Sequence, residues 1–201
     1  MKTKALKIVG IVIVGLVALI AIVAAFLSPK SHVERSIVIN AQPAAIFQEI
    51  NSFKNFKKWS PWAEIDPNAK YSFEGPETGV GAKMSWTSEN DNVGNGAQWI
   101  IESVQDKHLK TGLQFGDMAG TYTSDINLEP AEGGTKVTWT YDGDVSEVGM
   151  TSAAMYKVVG MFMDGMIGPD YEKGLNKLKS VAESQPKTES PAPADSTKTT
   201  K

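Results

Sequence analysis

The sequence predicts an α+β domain, a curved antiparallel sheet of about six to seven strands around a long C-terminal helix, preceded by one transmembrane helix. Three observations predict it. An uncharged apolar run fills Ile8 to Leu27. Short β-rich runs separated by turn signals occupy the middle of the chain. Near the end, Tyr171, Leu175, Leu178 and Ala182 form one apolar stripe at helical spacing.

The apolar run reads IVGIVIVGLVALIAIVAAFL, and Lys2, Lys4 and Lys7 precede it. About 20 residues at about 1.5 Å each give roughly 30 Å of helix, the hydrocarbon thickness of a bilayer. A cleaved signal peptide has a shorter apolar core and a small-x-small site, whereas this run ends Phe26-Leu27-Ser28-Pro29. The expectation is an uncleaved signal anchor in the cytoplasmic membrane, with its lysine-bearing end inside and the following domain on the periplasmic or extracellular side. The chain divides accordingly into residues 1–7, the anchor 8–27, a linker 28–32, a domain 33–182 and a polar tail 183–201. The tail, rich in Pro, Ser, Thr and mixed charge, lacks the apolar content to offset its ordering entropy and is expected to be disordered.

Composition narrows the function classes. The chain has 201 residues, 41% of them hydrophobic, with a formal net charge of −3. Zero cysteines exclude disulfides, thiolate metal sites, a cysteine nucleophile and a lipoprotein anchor. Two histidines cannot build a histidine-rich metal centre, so neither metal nor cofactor is expected. Mild acidity lacks the basic stripe of a nucleic-acid-binding protein, so no nucleic-acid partner is expected. It also disfavours tight docking on anionic headgroups, so any lipid contact is sought in a pocket.

Within the domain, Val33 to Asn40 reads as a strand. Pro43 opens a short helix with Ile46, Phe47 and Ile50 on one face. A second short helix or turn runs through Phe53, Phe56 and Trp59 until Pro61 stops it. Strand-like runs follow at Lys70–Glu74, Ala82–Thr87, Ala97–Val104, Leu109–Phe115, Thr121–Leu128 and Lys136–Tyr141, an antiparallel meander. Met150 to Ile167 reads as helix, interrupted at Gly168-Pro169-Asp170, with a second helix resuming at Pro169.

Three stretches resemble a known family: VERSIVINAQPAAIFQEINSF, the tryptophan turn FKKWSPWAEIDP, and MFMDGMIGPDYEKGLNKLK. With their order and spacing they resemble the START-type helix-grip superfamily, the SRPBCC group, in its bacterial polyketide cyclase/dehydrase and lipid-transport-like branch, from about Val33 to Val181. The resemblance implies an incomplete sheet gripping a long helix around an apolar cavity. It implies binding of lipids, sterols, polyketides or other hydrophobic molecules, with a minority of enzymes and no shared catalytic motif in these stretches.

Alternate strand positions and one helix face would line such a cavity. The candidate ligand-binding residues are Met84, Trp86, Trp99, Leu113, Phe115, Tyr122, Ser124, Trp139 and Tyr141 from the sheet, and Met155, Phe162, Met163 and Met166 from the helical segment. Trp99 is assigned inward with Ala97 and Ile101 unless a bulge reverses that strand. Tyr122, Ser124 and Tyr141 are the expected polar handles. The same side chains would equally fill a solid core. The methionine cluster suits an adaptable lid over the cavity or ordinary core packing. Trp59 and Trp62 read as a structural corner.

Catalysis has little sequence support. His32 and His108 are isolated, and Asp117, Asp125, Asp142 and Asp144 qualify by type only. Asp125 is expected to face solvent, and Asp142-Gly143-Asp144 reads as a turn rather than a calcium loop. No phosphate-binding loop of the P-loop kind and no GxSxG elbow is present. The leading expectation is a membrane-anchored binding module for a lipid or other hydrophobic small molecule. The rivals are a cyclase or dehydratase and a partner-binding domain with a filled core.

Overall fold

The computed structural model describes residues 2–185. The tail beyond Gln185 lies outside the described residues. The apolar run and its preceding lysines form α1 (Lys2–Phe26), long and apolar enough to cross a membrane. After β1 (Lys30–Ile39) come three short helices, α2 (Pro43–Ile50), α3 (Phe53–Trp59) and α4 (Trp62–Ile65). Six strands follow: β2 (Lys70–Glu74), β3 (Lys83–Thr87), β4 (Gly96–Val104), β5 (His108–Phe115), β6 (Thr121–Ala131) and β7 (Gly134–Asp144). Two helices, α5 (Met150–Met161) and α6 (Met163–Glu183), complete the domain.

The seven strands form one antiparallel sheet in the order β1-β7-β6-β5-β4-β3-β2. The first and second strands in sequence are therefore its two edges. The α2–α4 connection carries the chain from one edge to the other, and the meander returns to pair β7 with β1. The sheet bends around α6, whose buried face is Tyr171, Leu175, Leu178 and Ala182, the stripe read from the sequence. Pro43 sits in the first turn of α2, where its missing N–H costs nothing, and Ile46, Phe47 and Ile50 enter the core.

Four local readings need correction. Strand β1 begins at Lys30, because Lys30, Ser31 and His32 pair with Asp144, Gly143 and Asp142. That pairing also makes Asp142-Gly143-Asp144 strand rather than turn. A side chain at Gly143 would press on the Ser31 and Tyr141 hydroxyls. The helical break falls at Phe162, not at Gly168-Pro169-Asp170. Pro169 lies inside α6, in its second turn, where it removes one backbone hydrogen bond without ending the helix. Glu183, assigned to the tail, is the last residue of α6 and accepts a 2.8 Å hydrogen bond from the Asn40 N–H.

Arg35 of β1 fastens the sheet edge to α6. Its guanidinium donates to Asp164 at 2.8 Å and to Glu172 at 2.7 Å. It lies across Gly168, where any side chain would collide with it. Hydrogen bonding from Arg35 holds the Asp164 carboxyl below its ordinary range.

Gly174 provides a test of how closely α6 is gripped. A Cβ there would meet the Trp139 ring at 2.7 Å and Pro61 Cδ at 3.2 Å, whereas Gly165 has open space. Alanine in a helix interior ordinarily stabilises by about 1 kcal/mol over glycine. Gly165→Ala should follow that rule, and Gly174→Ala should reverse it, costing about 1–3 kcal/mol through overpacking. Chemical denaturation of the two variants beside the parent measures both signs.

Candidate ligand cavity

A cavity of about 490 Å³ lies between the sheet and the helices. Its floor is aromatic. Trp139 of β7 stacks on Tyr171 of α6 at 3.9 Å between ring centroids and 15° between planes. Trp59 and Trp62 meet Trp139 edge-on at 5.2 and 6.1 Å, and Phe56 does so at 6.5 Å. The Trp139 indole N–H donates to Ser124 Oγ at 2.8 Å, which satisfies a buried donor. The Trp59 indole N–H donates to the Glu49 carbonyl at 3.3 Å. The tryptophan turn is thus a structural corner, as read from the sequence, and part of the cavity wall as well.

The walls come from alternate strand positions. Leu109, Thr111, Leu113 and Phe115 point in from β5, Ser124 and Ile126 from β6, and Met84 and Trp86 from β3. Their cross-strand partners on β4 are Gln98, opposite Leu113, and Ile100, opposite Thr111. The rim is formed by the β3–β4 turn from Asp91 to Asn95, by Gly116 and Met118, and by Met163, Met166 and Ile167 of α6. Trp86 lies across Gly96, where a side chain would collide with its ring, and its indole N–H reaches the Val93 carbonyl at 3.3 Å.

Of the predicted residues, Met84, Trp86, Leu113, Phe115, Ser124, Trp139, Tyr141, Met163 and Met166 line this cavity. Trp99, Tyr122, Met155 and Phe162 do not. Trp99 lies on the outer face opposite Gly112, whose missing side chain makes room for the indole. The strand phase is therefore the reverse of that assigned, and a register irregularity between Ile100 and Glu102 follows. Tyr122 lies beside the cavity, stacked on Tyr141, with its hydroxyl donating to the Ala119 carbonyl at 2.8 Å. Met155 and Phe162 are exposed.

Two of the expected polar handles are already engaged: Ser124 Oγ accepts the Trp139 indole N–H, and the Tyr122 hydroxyl donates to the Ala119 carbonyl, while Tyr141 stays on the cavity wall. The group that sequence reasoning missed is Gln98. It is buried, lines the cavity, and its amide makes no hydrogen bond to any described residue. Facing the cavity without a protein partner, the amide is free to bond water or a ligand's polar atom. A sequence signal existed: glycine within a strand marks a close approach, and Gly112 fixes which β4 neighbour faces outward.

Among the described residues the cavity wall contains no histidine, lysine or glutamate, and its one carboxylate, Asp91, is exposed at the rim. His108 and Asp125, 2.8 Å apart, lie with Lys110 on the outer face of the sheet. His32 and Asp142, 2.7 Å apart, occupy the β1–β7 edge. No group of acidic and histidine side chains capable of holding a metal occurs among the described residues.

Comparison with known proteins agrees with this geometry. Residues 30–183 match the family described as polyketide cyclase / dehydrase and lipid transport, and the chain belongs to that family. Similar solved structures include a protein of unknown function from Staphylococcus aureus, 14% identical, with a TM-score of 0.56 over 77% of this chain and 94% of that one. A Chromobacterium violaceum protein is 15% identical, with a TM-score of 0.53 over 77% and 99%. The di-domain ARO/CYC BexL from the BE-7585A biosynthetic pathway is 12% identical, with a TM-score of 0.53 over 78% of this chain and 51% of that one. At these identities the likeness concerns the fold. No curated protein matches the chain. Family and architecture together define a hydrophobic-ligand-binding or cyclase-type SRPBCC domain.

The phenols bordering the cavity give a pH test. Burial pushes the Tyr141 phenol up to about 12 from 10.0, and burial also raises Tyr122 and Tyr171. A raised native pKa means that the unfolded chain releases its proton first. The resulting stability is complete below pH 10 and is lost as pH rises toward 12. Denaturation midpoints measured across that window should fall, and Tyr141→Phe should make the fall shallower.

Proposed function

We propose that the protein is a membrane-anchored module that binds a lipid or other hydrophobic small molecule between its sheet and α6. One observation carries the reading: an apolar cavity of about 490 Å³ that presents an unpartnered amide at Gln98. Its volume falls within the usual range for small-molecule sites, about 300–1,000 Å³, and its chemistry is the usual one, apolar walls with few polar groups. Gln98 would orient the polar end of an otherwise apolar ligand. The anchor would be α1, whose Ile11, Val14, Leu19 and Ile22 are exposed and have the composition of a lipid-facing surface. The lysines before it favour a cytoplasmic N-terminus, with the domain on the other side.

A cyclase-type activity is the alternative that the family allows. General acid–base catalysis needs a tuned group within hydrogen-bond reach of the reacting atoms. The described wall supplies neutral phenols, hydroxyls and an amide, with its carboxylate at the rim. That inventory favours binding over proton transfer.

Two substitutions separate cavity from core. Leu113→Trp should fill the space and abolish uptake of a fluorescent fatty acid while leaving the domain folded by circular dichroism. Gln98→Leu should retain uptake of a wholly apolar probe but weaken binding of the fatty acid by about tenfold, the equivalent of one lost hydrogen bond at about 1.4 kcal/mol. Unchanged binding in Leu113→Trp would contradict the proposal.

A further inference from the structure

The cavity mouth and the end of the anchor lie at the same end of the domain. Only Leu27, Ser28 and Pro29 separate α1 from β1, which at about 3.3–3.6 Å per residue is a tether of roughly 10 Å. The first residue of β1 pairs with the last of β7, which in turn pairs with the first of β6. Meander connectivity brings the end of β5, the start of β4 and the β3–β4 turn to that same end. These are the segments that carry Phe115, Gly116 and Asp91 to Asn95 of the rim.

Helix α5 bridges anchor and mouth. Lys157 donates to the Ala24 carbonyl in the last turn of α1 at 3.3 Å, and Ala24 is buried. A small cleft between Ser28–Ser31 and α5 shares Met118, Tyr141, Val159 and Met163 with the main cavity. The outward side of this region is apolar: Met155, Met161, Phe162 and Met166 are 57–61% exposed. Met166 belongs to the cavity rim as well. Beyond the break at Phe162, α6 is fixed to β1 by Arg35, which holds Asp164 and Glu172. The break therefore separates α6, pinned to β1 by Arg35, from α5, which packs on the end of α1 and the start of β1.

We propose that α5 is a lid seated on the bilayer, hinged at Phe162. Its exposed Met155, Met161 and Phe162 rest in the lipid interface beside α1, and its opening connects the cavity to the membrane rather than to water. This deepens the anchored binding reading and rests on it: the ligand class becomes an amphiphile drawn from, or returned to, the membrane that holds the protein. A flexible methionine surface suits contact with acyl chains. The apolar face, otherwise a liability in water, continues the lipid-facing surface of α1.

The absence of cysteine permits a direct test in the full chain. Met155→Cys, Phe162→Cys and, at the far β6–β7 turn, Glu132→Cys are each labelled with an environment-sensitive fluorophore in phosphatidylcholine nanodiscs. Labels at 155 and 162 should be quenched by doxyl-bearing lipid and protected from aqueous iodide, and the label at 132 should show the reverse. Iodide access at 155 and 162, or shielding from both quenchers by bound protein, overturns the lid's placement. For gating, a Cβ built at Gly160 lies 3.4 Å from Ser31 Cβ, close to disulfide spacing. The Ser31→Cys/Gly160→Cys variant, oxidised, should slow exchange of cis-parinaric acid with the nanodisc lipid by about tenfold or more, and reduction should restore it. Equal rates in both redox states overturn the lid. Absence of uptake in both states overturns ligand binding itself, and failure to insert into nanodiscs overturns the anchor.

Discussion

The stack of Trp139 on Tyr171 is the contact on which the rest of the domain depends. It joins the sheet to α6 at 3.9 Å, and the edge-on contacts from Phe56, Trp59 and Trp62 join the short helices to the same ring. Aromatic pairs in these geometries contribute about 0.5–1.5 kcal/mol each beyond their burial. The indole N–H is satisfied by Ser124, so the cluster has no unpaired donor at its centre. Gly174 lets the helix come this close. The cluster thereby fixes the spacing of sheet and helix at one level and leaves the cavity beside it.

The cavity follows from an imbalance of side chains around that hub. On the hub side, large rings fill the space between α6 and the sheet. Beside it the inward residues Thr111 and Leu113 of β5 and Ser124 of β6 are of middle size and leave space that Trp86 and Phe115 bound toward the rim. Burial of the Tyr122, Tyr141 and Tyr171 phenols raises their pKa values, which keeps them neutral and suited to an apolar site. Gln98 then stands out as the one buried amide in the wall whose hydrogen-bonding capacity the described residues leave unused.

Much of this was legible in the sequence because it rests on local periodicity. The succession of strands along the chain, the Pro43 helix start and the α6 stripe all follow from residue spacing. The parts that were not legible depend on cross-strand partners. Both phases of β4 carry apolar residues, so alternation alone cannot decide between Trp99 and Gln98; Gly112, on a neighbouring strand, decides it. Asp142-Gly143-Asp144 has turn composition, but pairing with Lys30–His32 makes it strand. Pro169 has the composition of a helix boundary, yet α6 runs through it and the break occurs at Phe162. Ser124 and Tyr122 have the chemistry of ligand handles, but the Trp139 indole on the neighbouring strand occupies the one and the adjacent Ala119 carbonyl the other.

The central claim is that the space between sheet and α6 holds a hydrophobic ligand. The most direct measurement is native mass spectrometry of the chain lacking residues 1–27, produced in cells and purified without detergent, followed by organic extraction of any bound molecule. The account predicts a complex one small amphiphile heavier than the polypeptide, which disappears when Leu113→Trp fills the cavity. A polypeptide mass alone that takes up no added fatty acid, or a bound mass unaffected by Leu113→Trp, would contradict it.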